Sequence, residues 1–384
     1  MDTLRILQVL YYYEPYTSGL TIYAARIARE MAARGHDVQV ICARHDRALS
    51  QHEVTGEGID VTRLRVLARL DRAVIMPSLL FTVLRRLDDV DVVHLHLPMA
   101  ETAAIVLACR MRRKRVVVSH HADLVLNGSL LTRLAARVGQ ISSVVGGRFA
   151  NAFVSNTESR ARVSPVGKYM RRNLRVIPPP IEVLTSPVNA RQRVRESRDW
   201  GNAPVVGFVG RYATEKGIEV LLQAIPLLRM RYPNVIIALV GPRNDGRTGE
   251  KLHGPWDVWL DRYGYAVDEL GELNQEELAS FYPAIDVLAL PSTNWTETFG
   301  MVQIEAMLHG TPVVASDLPG VNEPIKKTGG GLLTSAGDAN ALAIAIAEVL
   351  SVPERYLPNE AVLSAQYSLE TVADAWEDVY EELS

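Results

Sequence analysis

Cysteine is nearly missing from this 384-residue chain: Cys42 and Cys109 are the only two, too few for a disulfide framework or a structural zinc site. A reducing, cytosolic setting is the expectation that follows. No window holds 18 consecutive apolar residues, which argues against a transmembrane helix. The opening stretch MDTLRILQVLYYYEPY has neither a basic n-region nor a long apolar h-region, so it does not read as a signal peptide. Two phosphate-binding signatures are lacking as well. Gly207-Phe208-Val209-Gly210 and Gly146-Gly147 are spaced wrongly for G-x-G-x-x-G, and no Walker A sequence occurs. That argues against a nicotinamide or flavin dehydrogenase and against a P-loop enzyme.

What is present is ordinary for a soluble globular protein, with 48% hydrophobic and 22% charged residues. The length suits two domains of roughly 180 residues. A net charge of -3 conceals an asymmetry. Residues 1–180 carry 26 lysines and arginines against 15 aspartates and glutamates, whereas 181–384 carry 15 against 29. The excess is steepest in 101–180, with 14 basic and 3 acidic residues. An anionic partner (a membrane surface, a phosphorylated acceptor or nucleic acid) would account for it. Charge complementarity between two domains would account for it equally well.

Hydrophobic periodicity divides the chain into repeated strand–helix units. Leu4–Leu10, Asp37–Ala43, Asp91–Leu97 and Arg115–His120 are near-continuous apolar runs, as expected of parallel strands covered on both faces. Between the first two, Leu20, Tyr23, Ala24, Ile27 and Met31 fall on one helical face, and Gly35 sits where a helix-terminating glycine belongs. Pro178-Pro179-Pro180 interrupts the pattern and is the expected domain boundary. A second series follows, with strands at Val205–Val209, Val235–Val240, Ile285–Leu290 and Thr311–Ala315. Its first helix, from Gly217, buries Ile218, Leu221, Leu222, Ile225 and Leu228, and Pro226 should kink it. The spacing predicts two doubly wound α/β domains.

Two segments carry candidate chemistry. PSTNWTETFGMVQIE, Pro291 to Glu305, begins where a buried strand ends, the place where open α/β sheets bind ligands. Gly300 lets a ligand approach the backbone, and the helix beginning there offers unpaired N–H groups to an anion. Glu297 lies in the loop and Glu305 in the second helical turn. Fully helical spacing would separate them by about 12 Å, too far for the paired carboxylates of a glycoside hydrolase. The second segment, GRYATEKG from Gly210 to Gly217, places Arg211 and Lys216 after the strand Val205–Val209. Two cations between glycines suit a diphosphate. Alone, Glu297 would read as a carboxylate at a helix N-terminus, Glu305 as a solvated helix residue, and Glu215 and Lys216 as a solvated surface turn. Asp89-Val90-Asp91 is a literal D-x-D, but it precedes a strand and reads as a strand-start cap.

Together, GRYATEKG and ETFGMVQIE resemble the E-x7-E retaining glycosyltransferases of the GT-B fold, which are family 4-like and also described as glycosyl transferases group 1. The likeness spans nearly the whole chain. SGLTIYAARIAREMAARGHDVQVI resembles the family's opening loop and helix, and ALPSTNWTETFGMVQIEAMLHGTPVVASDLPGVNEPI resembles its donor-site core.

The resemblance implies two Rossmann-like domains facing each other across a cleft. The acceptor-side domain would be 1–180 and the donor domain 181–365, with a tail, 366–384, packing back on the first. It implies that Glu305 binds the nucleotide ribose and Glu297 the donor sugar hydroxyls, and that Arg211 and Lys216 hold the diphosphate. The backbone of Phe299, Gly300, Met301 and Val302 would contact sugar and phosphate, and Gly19 would let the first helix approach the donor. His121 is chosen over His120 as the functional histidine, because HAD, ending in Asp123, is similar to the family's His-small-Asp pattern. No metal and no cofactor are expected.

The implied reaction is retaining transfer of a hexose from a nucleotide diphosphate sugar, of GDP-mannose or UDP-glucose type, to a glycan, glycolipid or other hydroxyl acceptor. The rivals are a nucleotide-sugar epimerase of the same fold and a catalytically silent sugar-nucleotide-binding protein. A cytoplasmic protein in peripheral contact with an anionic membrane is implied, without a nucleic-acid partner. Ser18 departs from the family's usual glycine pair with Gly19, Thr298 stands where smaller residues are usual, and Gly241-Pro242 lacks a second glycine. The sequons at Asn127 and Asn294 read as accidental.

Overall fold

The computed structural model describes residues 3–70, 73–123, 130–170, 172–182, 184–243, 254 and 256–383. The chain divides into two compact units, one of Met1–Pro180 with Leu369–Ser384 and one of Ile181–Ser368. Both are doubly wound α/β units.

The first unit is built on β1 (Arg5–Val9), β2 (Asp37–Ala43), β3 (His52–Val54) and β4 (Asp60–Leu64). A two-stranded ribbon of β5 (Ala68–Leu70) and β6 (Ala73–Ile75) follows, and then β7 (Val92–Leu97), β8 (Arg115–His120), β9 (Ala152–Ser155) and β10 (Leu174–Val176). Apart from the ribbon, these form one sheet in the order β10-β9-β8-β7-β1-β2-β4-β3. It is parallel throughout except for the short edge strand β3. The apolar runs are therefore buried on both faces, as with β7, whose six residues are all buried.

The helix Gly19–Ala33 follows β1, with Tyr23, Ala24, Ile27 and Met31 buried. Ser18 is its N-cap. The Ser18 hydroxyl accepts from the Thr21 amide and the Thr21 hydroxyl from the Ser18 amide, so the serine standing beside Gly19 closes a capping box. Gly146 and Gly147 also find a use. A side-chain carbon on either would lie within 3 Å of Thr102 or Phe153, so both permit close packing of the helix Leu130–Phe149.

The helix Leu369–Leu383 completes this unit. Val372, Trp376, Val379 and Tyr380 are buried in the same core as Ile6, Tyr23 and Val92, and Trp376 Nε1 donates to the Tyr23 hydroxyl at 2.9 Å. Glu377 receives Arg34 and lies 3.1 Å from His36.

The second unit has six parallel strands: β11 (Val205–Val209), β12 (Ile236–Val240), β13 (Val267–Gly271), β14 (Val287–Leu290), β15 (Val313–Ser316) and β16 (Gly331–Thr334). Their order is β13-β12-β11-β14-β15-β16. The helix Ile218–Arg231 buries Ile218, Leu221, Leu222, Ile225 and Leu228 and continues through Pro226 as one helix. In both sheets the strand order reverses beside the first strand, between β1 and β7 and between β11 and β14. Loops diverge at such a switch point and leave a crevice at the strand ends.

Candidate functional site

In the second unit, the two sequence segments singled out above meet at the β11/β14 switch point. The loop after β11 turns at Gly217, in the left-handed region at φ 72°. A side-chain carbon there would lie 1.8 Å from the Pro291 carbonyl oxygen, so only glycine allows the loop after β14 to approach so closely. Thr293 binds the two loops together. Its amide donates to the Glu215 carbonyl and its hydroxyl to the Thr214 carbonyl, each at 3.0 Å. On the other side, the Tyr212 amide donates to the Pro242 carbonyl at 3.1 Å, so Gly241-Pro242 braces the same loop after β12.

The result is a close ion pair, with Lys216 Nζ 2.5 Å from Glu297 Oε2. The side chains are 27% and 10% exposed, so the pair is shielded on the protein side and open on the other. The buried Ser292 hydroxyl donates to the same carboxylate at 3.3 Å. Arg211 lies on this loop, but its guanidinium is half exposed and pairs with Glu215 at 3.2 Å instead of joining Glu297.

Gly300, at φ 77°, opens the helix Met301–Leu308. A side-chain carbon there would meet Leu290 at 2.5 Å, so β14 and the turn are in direct contact. Gln303 is fully buried and donates to the carbonyls of Phe299 and Val321, holding the turn from below. Phe299 is buried and tilted against Tyr367, with ring centres 5.9 Å apart. Met301 and Val302 are half-buried in the first helical turn, where backbone amides lack intrahelical acceptors. Glu305, one turn on, accepts from the Tyr282 hydroxyl at 2.8 Å. Lys216 and Glu297 are thus in contact, Arg211 and Glu305 have other partners, and Ser292, Gln303 and Tyr282 are supporting residues that motif spacing did not reveal. Asn294 Oδ1 accepts from the Thr296 amide and hydroxyl, so this sequon is a local turn. The one at Asn127 lies outside the described residues.

Gly19 and His121 belong to the first unit. Gly19 is the first residue of its helix. His120 and His121 follow opposite courses at the end of β8. His120 Nε2 lies 3.0 Å from Asp123 and 3.3 Å from the Ser164 hydroxyl, and Asp123 is also held by Arg160 at 2.5 Å and by Ser164 at 2.6 Å. Burial pushes the Asp123 carboxyl up, but His120, Ser164 and the Arg160 charge outweigh it and hold it below the usual range. His120 is therefore committed to a buried ion cluster. His121 Nε2 lies 3.0 Å from His96 Nδ1, and the edge of Tyr23 packs on its ring at 4.5 Å. Burial, with a smaller contribution from His120, lowers His121 to about 3; it is a neutral imidazole at physiological pH. Asp91 accepts from the Arg5 amide and guanidinium, which accounts for the D-x-D as a cap of neighbouring β1.

The basic residues of 101–180 are spread over several elements of the first unit. Arg112, Arg113 and Arg115 lie at the start of β8, five residues or about 17 Å from its other end. Arg160 is buried against Asp123, Arg175 faces Glu382, and Arg171 lies outside the described residues. A different basic face emerges on the helix Leu130–Phe149. Arg133, Arg137 and Arg148 are exposed there, beside Leu134, Val138 and Ile141 at 59%, 55% and 64% exposure. The helix contains no aspartate or glutamate.

Comparison with known proteins gives a consistent result. Residues 17–189 match the family described as Glycosyltransferase Family 4, and residues 203–352 that described as Glycosyl transferases group 1. The chain is 30% identical to a phosphatidyl-myo-inositol mannosyltransferase of Propionibacterium freudenreichii subsp. shermanii over 301 residues, 74% of this chain and 70% of that protein. It is 37% identical over 193 residues to a D-inositol 3-phosphate glycosyltransferase of Corynebacterium urealyticum, covering 47% of this chain but only 44% of that relative's length. The crystal structure of Anabaena Alr3699/HepE in complex with UDP superposes with a TM-score of 0.79 at 22% identity, covering 99% of this chain and 100% of that one. Among the described residues, no helix is long and apolar enough to cross a membrane.

Proposed function

The chain belongs to the glycosyltransferases of group 1 and family 4, built from two Rossmann-like domains in the GT-B fold, and on that premise we propose that it transfers a hexose from a nucleotide diphosphate sugar with retention of configuration. The observation that carries the reading is the Lys216–Glu297 pair on glycine-hinged loops at the ends of β11 and β14. A cation and a carboxylate neutralise each other there until a ligand divides them. The diphosphate takes Lys216, joined by Arg211 on the same loop, and the sugar hydroxyls donate to Glu297. The amides of Met301 and Val302, at the positive end of their helix, receive phosphate or sugar oxygens. Glu305, oriented by Tyr282, accepts from the ribose hydroxyls.

As the glycosidic bond breaks, negative charge grows on the leaving diphosphate, and Lys216 and Arg211 stabilise it where it develops. The same phosphate oxygen then lies on the face from which the acceptor arrives and takes its proton, so no separate base and no metal are required. His121, the functional histidine that the resemblance implies, serves in the first unit as a neutral hydrogen-bonding group. The donor is of GDP-mannose or UDP-glucose type. Relatives named for inositol phosphate and phosphatidylinositol acceptors, together with the arginine-lined helix Leu130–Phe149, support a glycolipid acceptor met at an anionic membrane surface.

Release of nucleotide diphosphate across a panel of nucleotide sugars tests the reading. Lys216→Ala should lower turnover on the preferred donor about a hundredfold, the usual effect of losing about 3 kcal/mol of transition-state charge stabilisation, while the protein stays folded. Near-normal turnover in folded Lys216→Ala would sink the diphosphate assignment.

A further inference from the structure

Behind His121, in the first unit, lies a group of aromatic rings that the proposed chemistry does not use. Trp376 stacks on His94 at 4.5 Å, and His94 stacks on His96 at 4.0 Å. His96 meets His121 edge to edge, with 3.0 Å between nitrogens and ring planes 14° apart. Trp376 donates to the Tyr23 hydroxyl, and the Tyr23 ring abuts His121. These contacts form a closed circuit. His94 is pinned through both nitrogens, by the Tyr380 hydroxyl at 2.7 Å and the Ser119 hydroxyl at 2.6 Å. His94 and His96 share a face of β7 because they are two residues apart, so the V-H-L-H-L pattern itself stacks them.

His96 Nε2 is buried and, among the described residues, has no hydrogen-bond partner. Burial, more than the neighbouring histidines, holds His96 well below the ordinary imidazole range. Each ring therefore carries a single proton, and one hydrogen bond joins His96 Nδ1 to His121 Nε2. If His121 donated, His96 would bear its proton on Nε2 and bury an N–H with no acceptor. If His96 donates, only a lone pair is left unmatched. A buried orphan N–H is the rarer and costlier of the two.

Resting on the reading of His121 as a functional residue, we propose that His96 is a positioning residue for the transfer reaction. It donates from Nδ1 to His121 Nε2 and so fixes His121 as the Nδ1–H tautomer. His121 then meets substrate as a hydrogen-bond donor through Nδ1, with Nε2 already engaged and unable to accept a proton. The helix Leu369–Leu383 takes part at one remove, because Trp376 and Tyr380 hold His94 and His94 holds the plane of His96.

Nitrogen NMR of full-length protein labelled with 15N-histidine reads the tautomer directly, with His121→Ala assigning its signals. His121 should be protonated at Nδ1 in the wild type and in His96→Asn, whose side-chain amide can replace the Nδ1 donor. In His96→Leu the preference should be lost. In that variant kcat should fall about tenfold at unchanged KM for the nucleotide sugar, and in His96→Asn it should stay within about twofold, as for other groups that orient a functional imidazole. A wild-type spectrum with His121 protonated at Nε2 overturns the proposal even if His96→Leu fails to fold. Equal losses of kcat in the two variants overturn it as well, because they would leave His96 a packing role alone. Normal turnover in His121→Ala would refute the reading of His121 itself and leave the tautomer result standing.

Discussion

At the scale of single residues, charged groups in this protein take their roles from how they are partnered. Glu305 accepts from the Tyr282 hydroxyl, which orients its carboxylate for the ribose-binding role proposed for it. Glu305→Gln should weaken binding of the free nucleotide diphosphate, with no sugar attached, by about tenfold, since hydrogen bonds to a charged acceptor contribute roughly 1.5–3 kcal/mol. Titration calorimetry with UDP, GDP and ADP measures this, and unchanged affinity for the preferred nucleotide would return Glu305 to a structural role. Asp123 illustrates the opposite, structural case. Its carboxyl titrates below the usual range in the folded protein, so the stabilisation it provides is present above about pH 4 and is lost as pH falls further. Asp123→Asn leaves Arg160 as a buried charge without its carboxylate and should cost about 3 kcal/mol at pH 7. The gap between variant and wild type in denaturant melts should narrow below about pH 4; an equal gap at pH 3 and pH 7 would refute the assignment.

Among the elements, the helix Leu130–Phe149 sets part of the basic excess of residues 101–180 beside exposed apolar side chains. Its exposed stripe of Leu134, Val138 and Ile141, flanked by Arg133, Arg137 and Arg148, can lie on a bilayer with the apolar residues at the headgroup boundary and the guanidiniums on lipid phosphates. Each arginine near an anionic surface adds about 1 kcal/mol. Sedimentation with anionic vesicles should therefore deplete the protein, and Arg133→Ser with Arg137→Ser should abolish most of that depletion. Added salt should do the same, given a screening length of about 10 Å at 0.1 M ionic strength. Retention by neutral vesicles to the same extent would rule out the electrostatic component. The parallel strands were the most legible elements. Asp37–Ala43, Arg115–His120 and Val205–Val209 have the bounds read from their apolar runs, because a strand buried on both faces carries an unbroken apolar centre, Val116–Val118 in β8 for example, that polar residues such as Asp37 and Arg115 delimit. The candidate site was legible as two segments, since glycine, charge and strand end coincide in each. Their joint was not, because Thr293, Ser292 and Gln303 act through backbone carbonyls and a shared carboxylate, which leave no periodic trace. The histidines were visible, but their order in space was not: Trp376 is 280 residues from His96, and the resemblance implied only that its segment packs back on the first domain, not which side chains it brings to the histidines.

For the whole molecule, the decisive feature is that the first unit is assembled from two stretches of chain with the second between them. Ile181 and Ser368, the two ends of the second unit, pair as a parallel bridge, so this unit is continuous and closed at its base. A protein of residues 181–368 should melt in a single cooperative transition and bind the preferred nucleotide diphosphate. Residues 1–180 alone should not melt cooperatively, because the core around Tyr23 and Val92 would lack Val372, Trp376 and Tyr380. Calorimetry of the two fragments checks this, and a sharp transition in 1–180 would show the last helix to be dispensable. The same arrangement imposes an order on the newborn chain. On the ribosome, the second unit has all its residues and can fold while the first still waits for Leu369–Leu383 to emerge. Until then the groups that Val372, Trp376 and Tyr380 cover, among them Ile6, Tyr23, Val92 and His94, stay open to water or to a holding chaperone. The half of the protein that is made first is thus the half that is finished last.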